Sequence, residues 1–220
     1  MLQVAQLSVK LGEADVLRNV SMHVPRNSFV ALVGRNGAGK TTLMRAVMNL
    51  IPIASGEVHI AGRNTTHAPP YSHARCGVGY MPEDRRLVGD WTVEQNIMLP
   101  AWASRRSDFR SRLKKIYALI PEVDRFRDRK AMQLSGGQQK LVALARAFMA
   151  CTDLLVLDEP FEGVAPALVK RLVEILSGLR TDNALSVLIS ESDAVHSMDL
   201  VDRLYTIERG RIEDPPALAG

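Results

Sequence analysis

Apolar residues in this chain cluster in short runs, some alternating with polar residues and some unbroken, and helically spaced stretches separate them. Residues 2–9 and 20–24 alternate as half-buried strands do. "SFVALVG" is an unbroken apolar run that ends in glycine, the pattern of a buried strand entering a tight turn. A helix is predicted over about residues 40–50, "GEVHIAG" alternates again as a strand, and "CGVGYM" predicts another short strand. From about residue 83 to residue 133 the spacing turns helical, as in "SDFRSRLKKIYALI", with Ser107 expected to cap that helix. After a glycine turn come a helix over 138–150, a strand over 154–158, a helix near 167–179 and a strand over 185–190. "RLYTIERGRI" predicts a hairpin around Gly210. Apolar strands separated by helices predict an α/β fold with a mostly parallel sheet.

Composition narrows the class without naming it. The chain has 220 residues, 46% hydrophobic and 24% charged, enough for one globular domain carrying a smaller subdomain. Net charge is +4, with basic clusters at "RRSDFRSRLKK" and "RFRDRK". These read as solvated helix faces. Few aromatics interleave with the arginines, so the stacking platform of a single-strand binder is missing and no nucleic-acid partner is expected. Cys76 and Cys151 lie in apolar sequence without metal-ligand spacing, which fits a reducing cytosolic setting. The start lacks a signal-peptide pattern, and no run approaches the ~18–20 apolar residues of a membrane span, so any membrane must be supplied by other chains. "THAPPYS" and "EDPPALAG" read as loops.

Chemistry enters at "GRNGAGKTT", residues 34–42, which fits GxxxxGKT and lies between a predicted strand and a predicted helix. Gly34, Gly37 and Gly39 let the backbone curl around an anion, with Arg35, Asn36 and Ala38 between them, and the helix N-terminus adds partial positive charge. Lys40 supplies a point charge for the β- and γ-phosphates of a nucleotide, Thr41 a hydroxyl ligand for Mg²⁺, and Thr42 a contact to the α-phosphate. "LLVLDEPFEG" then explains itself. Asp158 is the Mg²⁺-side carboxylate that such a phosphate cradle requires, and Glu159 is expected to act as general base or to position the attacking water.

"LSGGQQK" opens a helix with Ser135, Gly136, Gly137 and Gln138, making a second anion site from a hydroxyl, N–H groups and a helix dipole. One nucleotide cannot need both sites from one chain. With these three motifs in order, the sequence resembles the ATP-binding cassette (ABC) ATPases over about residues 2–212. The resemblance implies a P-loop NTPase with a RecA-like mixed-sheet core (about 1–83 and 134–212), an N-terminal antiparallel β region, an inserted helical subdomain (about 84–133) and a short tail (213–220). It also implies that the signature of a second ABC ATPase subunit, the same chain or a sister, closes on each ATP in trans.

"GVGYMPEDRRLVGDWTVEQNI" and "LDEPFEGVAP" resemble the ATPases of branched-chain amino acid importers. That subfamily implies two transmembrane permease subunits, a periplasmic solute-binding protein, and a position on the cytoplasmic face of the inner membrane. The solute would be a branched-chain amino acid, amide, urea or related organic acid. Trp91, Trp102 and residues 85–87 are candidates for the permease docking groove, or core. The alternatives are a nucleotide-gated clamp with weak hydrolysis and a soluble non-transport ABC ATPase.

Three positions depart from the family pattern. Leu11 stands where an aromatic would stack on adenine, or is plain core. Glu83 stands where a glutamine meets Mg²⁺ and water; it can ligate Mg²⁺ but adds negative charge. Ser192 stands where a histidine would reach the γ-phosphate and is too short to replace it, with His196 one turn later as a conceivable substitute.

Overall fold

The computed structural model describes residues 1–105, 107–181 and 185–213. In chain order it contains β1 (Leu2–Leu11), β2 (Ala14–Val24), β3 (Phe29–Val33), α1 (Lys40–Val47), β4 (Ser55–Ile60), β5 (Arg63–Asn64) and α2 (Ser72–Arg75). Then come β6 (Val78–Met81), α3 (Val93–Ser104), α4 (Phe109–Leu119), α5 (Pro121–Arg125), a 3₁₀ turn (Ala131–Gln133) and α6 (Gly136–Ala150). The chain ends with β7 (Leu154–Asp158), α7 (Pro166–Thr181), β8 (Ser186–Glu191), β9 (Arg203–Glu208) and β10 (Arg211–Glu213). The predicted loop "EDPPALAG" and the tail lie, beyond Glu213, outside the described residues.

Two sheets result. The first is antiparallel in the order β2-β1-β4-β5. The second runs β10-β9-β3-β8-β7-β6, with β9 to β6 parallel and β10 turned back on β9 around Gly210. Every residue of β7 and β8 is buried, which is why their centres, Leu154–Leu157 and Val187–Ile189, are continuously apolar, with the polar residues at the strand ends. Their side chains alternate between two cores. Leu155, Leu157, Val187 and Ile189 face the layer of α3, α6 and α7, while Leu154, Val156 and Leu188 face α1 and the antiparallel sheet.

The boundaries that differ from expectation have local causes. α1 stops at Val47 because Asn49 takes φ +54, a left-handed stop that ends a helix. Ser107 does not cap α4: the first helical bond runs from Arg112 N to Asp108 O at 3.1 Å, so Asp108 holds the cap position, without a side-chain capping bond. α6 starts two residues early because Ser135 and Gln138 form a reciprocal capping box. α3 has its own, from Thr92 and Gln95. Among the described residues, no helix is long and apolar enough to cross a membrane.

Candidate nucleotide and metal site

The C-terminal ends of β3, β7 and β8 lie side by side, Val33 in register with Glu191 and Asp158 with Ser190. The turns leaving these strands therefore share one edge of the sheet, where ligands of open α/β sheets bind. After β3, Gly39 forms the N-cap of α1 at φ +113, and a Cβ there would sit 2.9 Å from Leu17 Cδ2. A Cβ on Gly34 would come within 2.3 Å of the Ile207 carbonyl oxygen. Both positions require glycine, one for its backbone angle and one for space.

Lys40 is folded back under this turn. Its Nζ donates to the carbonyl oxygens of Gly34 at 2.5 Å and Arg35 at 3.1 Å, and lies 3.0 Å from Glu159 Oε1. Arg35 O also accepts from Ala38 N, and Ala38 O accepts from Gly210 N, which ties the loop to the β9–β10 hairpin. Asn36, Gly37, Gly39, Lys40, Thr41 and Thr42 line a cavity of about 460 Å³ together with Val16, Glu83, Glu159 and Glu162.

The acidic side is built from Asp158, fully buried, and Glu159, 5% exposed. Ser190 Oγ donates to Asp158 Oδ1 at 2.7 Å, Thr41 Oγ1 lies 3.2 Å from the same oxygen, and Tyr80 OH lies 3.5 Å from Oδ2. Burial raises the Asp158 carboxyl above its ordinary range, and the bonds from Ser190 and Thr41 oppose that rise. Burial, then the neighbouring Asp158 charge, likewise raises the Tyr80 phenol. Glu159 takes φ +51, a left-handed conformation that costs a non-glycine residue about 1–2 kcal/mol. Its N–H donates to Ser190 Oγ at 3.1 Å and to Ser190 O at 3.2 Å, which holds the turn in place.

Thr41 Oγ1 also lies 3.4 Å from Glu83 Oε2, so Glu83, Thr41 and Asp158 bring three oxygen donors to one spot. Among the described residues no trio of His, Cys, Asp and Glu forms a metal site by itself. Mg²⁺ needs none, since it takes one or two carboxylates and completes its shell with phosphate oxygens and water. The residues fit that ion.

Ser192 Oγ stands 3.0 Å from Asn36 Oδ1 and 3.2 Å from Glu159 Oε2, and its one proton serves one of them at a time. His196 stacks edge-on against Phe161, centroids 5.6 Å apart, and does not line the cavity, so it does not substitute for the missing imidazole. Leu11 is 47% exposed at the end of β1, which rules out the core reading, and Val16 rather than Leu11 lines the cavity.

The second predicted anion site lies elsewhere. Ser135 and Gly136 are exposed at the start of α6, with Gly137 and Gln138 half-buried behind them. Gln138 is engaged in the capping box, where its Oε1 accepts from Ser135 N at 3.0 Å. Arg85 Nη1 donates to Gly136 O at 3.2 Å. Trp91 and Trp102, 36% and 49% exposed, pack edge to face 6.2 Å apart on the helical side. Sequence reasoning missed Ser190, Tyr80, Lys140 and Glu162. Ser190 and Tyr80 sit on strands whose register decides what they touch, Glu162 lies in the turn after β7 and Lys140 on α6, and none of these pairings is written in its own segment.

Comparison with known proteins accords with this geometry. A family model described as ABC transporter matches residues 17–162. The chain is 32% identical to the high-affinity branched-chain amino acid transport ATP-binding protein BraG of Pseudomonas aeruginosa, covering 96% of this chain and 91% of that protein. It is 30% identical to the probable branched-chain amino acid transport ATP-binding protein LivF of Archaeoglobus fulgidus, covering 96% and 90%. It is also 32% identical to the lipopolysaccharide export system ATP-binding protein LptB of Haemophilus influenzae, covering 96% and 88%. Among solved structures, an ATP-binding cassette of an ABC transporter in its ADP conformation superposes with a TM-score of 0.82 at 25% identity, covering 97% of this chain and 89% of that one.

Proposed function

This chain belongs to the ABC transporter family as an ATP-hydrolysing subunit, and from that premise we propose that it drives import of a small solute of the branched-chain amino acid, amide or organic-acid type. The observation that carries the importer reading is the likeness to BraG and LivF along 96% of the chain.

In this reading the loop at 34–42 holds the triphosphate through its N–H groups, and Lys40 swings from Glu159 to the β- and γ-phosphates. Thr41 and Asp158, with Glu83, would hold Mg²⁺, which when bound neutralises charge on the phosphates. Glu159 orients the water and accepts its proton, and Ser192 supports Glu159. Ser135, Gly136 and Gly137 serve the ATP of a facing ATPase subunit, whose own signature serves this one. Closure of two cassettes on two ATP molecules does work because open and closed states bind ATP unequally.

The helical block, residues 84–133, is the docking subdomain for a permease. Exposed Val88, Trp91, Trp102 and Met132 support that assignment. The chain would then sit on the cytoplasmic face of the membrane through its permease partners, with a periplasmic binding protein delivering the solute.

The equal likeness to LptB favours one second reading, a motor for export of a lipid-like cargo. Reconstituting the chain with its membrane partners in vesicles decides between them. ATP-driven accumulation of a labelled branched-chain amino acid is expected. ATP-driven extraction of lipid without solute uptake would move the assignment to export.

A further inference from the structure

Lys140 lies within the first half of α6 and is 6% exposed. Its Nζ donates to the carbonyl oxygens of Glu159 at 2.9 Å, Pro160 at 3.1 Å and Glu162. An ammonium has three donors, and all three are spent on one backbone turn. The five residues that follow it on α6 lie in the core, Arg146 next is half-buried, and an apolar side chain would fit this stretch at lower desolvation cost. Burial lowers the Lys140 ammonium to about 8, partly offset by the charges of Glu162 and Glu159.

The turn it grips is the one whose geometry matters most. Glu159 holds φ +51, and the peptides on either side of it are each fixed: Ser190 accepts from its N–H, and Lys140 donates to its carbonyl oxygen. Ser190 belongs to the sheet. Lys140 belongs to the helix whose first residues, Gly136 and Gly137, follow the exposed cap Ser135. A rigid helix therefore joins the second anion site at one end to the backbone of Glu159 less than two turns away.

We propose that Lys140 is a positioning residue for Glu159, which makes the catalytic geometry of one nucleotide site depend on what occupies the Ser135 end of the same chain's α6. The proposal rests on the reading above, that this end faces the ATP of a second subunit. Coupling of this kind needs two sites and one element that both bias, and α6 with Lys140 is that element.

The test compares full-length wild type, Lys140→Met and Lys140→Arg for ATP turnover against ATP concentration, for ATP-induced pairing of subunits, and for thermal unfolding. Expected for Lys140→Met is a fall in kcat of about tenfold or more, a KM for ATP within about twofold, and a Hill coefficient that drops towards one. Lys140→Arg, which keeps a cation and donors to several carbonyls, recovers much of the kcat. If Lys140→Met does not fold, Lys140→Gln is measured instead and judged by the same kcat and KM criterion. Unchanged kcat, or a loss that tracks a lower unfolding temperature and is not recovered by arginine, overturns the proposal. A wild type that hydrolyses ATP with a Hill coefficient of one and never pairs overturns the two-subunit reading. A kcat loss without a KM change then still assigns Lys140 its hold on Glu159 within one chain.

Discussion

Lys40 Nζ and Glu159 Oε1 stand 3.0 Å apart, joining the cation of the phosphate loop to the acid at the end of β7 in a pair only 4% and 6% exposed. On the proposed mechanism this cation serves phosphate, so the carboxylate that holds it here must give it up when a triphosphate binds. Exchange between the two anions is part of the binding equilibrium.

Glu159→Gln removes that competitor along with the proposed general base. We expect ATP to bind several-fold more tightly and turnover to fall by about 10²–10⁴-fold. Equilibrium binding of a fluorescent ATP analogue and phosphate release in a single turnover measure the two effects. Unchanged single-turnover hydrolysis would remove Glu159 from the chemistry.

Ser190 holds Asp158 through its hydroxyl at 2.7 Å and accepts from the Glu159 N–H at 3.1 Å, so one small side chain orients both acids. Ser190→Ala should raise the Mg²⁺ concentration for half-maximal ATPase activity by about 10–100-fold, the usual consequence of losing a group that orients a metal ligand. Folding should be little changed. A Mg²⁺ titration of activity, with circular dichroism as the folding control, checks it, and an unshifted titration would refute the role.

Ser192 reaches Glu159 Oε2 at 3.2 Å but cannot extend as far as an imidazole. Ser192→His should raise kcat several-fold and add a limb to the pH–rate profile near the ordinary histidine pKa of about 6.5. Ser192→Ala should lower kcat. A histidine variant no faster than wild type, with an unaltered profile, would show that serine is already sufficient.

What the sequence disclosed depends on whether a signal is local. The phosphate loop, the Asp158–Glu159 pair and the Ser135 cap each lie within a few consecutive residues, so spacing alone located them. β3, β7 and β8 were legible because strands buried on both faces have continuously apolar centres. Ser190 and Lys140 were not legible. Ser190 matters because β8 pairs with β7 in the register that sets it beside Asp158, and Lys140 because α6 crosses the turn after β7. Ser107 failed as a cap because serine and aspartate are both favoured cap residues, and the first helical bond closes on Asp108 O, one residue further on. Leu11 was ambiguous for a similar reason: an apolar residue at a strand end is core or surface depending on where the strand stops.

Glu191, at the end of β8, is 3% exposed, and its Oε1 meets no hydrogen-bond donor among the described residues. Burial pushes its carboxyl up to about 7, opposed by the Ser197 hydroxyl, with the charges of Asp193 and Glu159 adding to the rise. The unfolded chain releases this proton near the ordinary value of 4.5, so between pH 4.5 and 7 the folded state binds more protons than the unfolded one. Stability from this group is therefore complete below 4.5 and declines as pH rises through 7, by up to about 3 kcal/mol. Glu191→Gln keeps the shape without the charge. It should unfold at a temperature about 5 °C or more above wild type at pH 8 and at nearly the same temperature at pH 5. Paired thermal melts at the two pH values isolate the effect, because every other titrating group is common to both proteins. An equal difference at both values, or a more stable wild type at pH 8, would mean that the Glu191 carboxylate finds a partner when charged. Since Glu191 O accepts from Gly34 N at 3.1 Å, the same melts repeated with ATP would show how far that buried charge loosens the root of the phosphate loop.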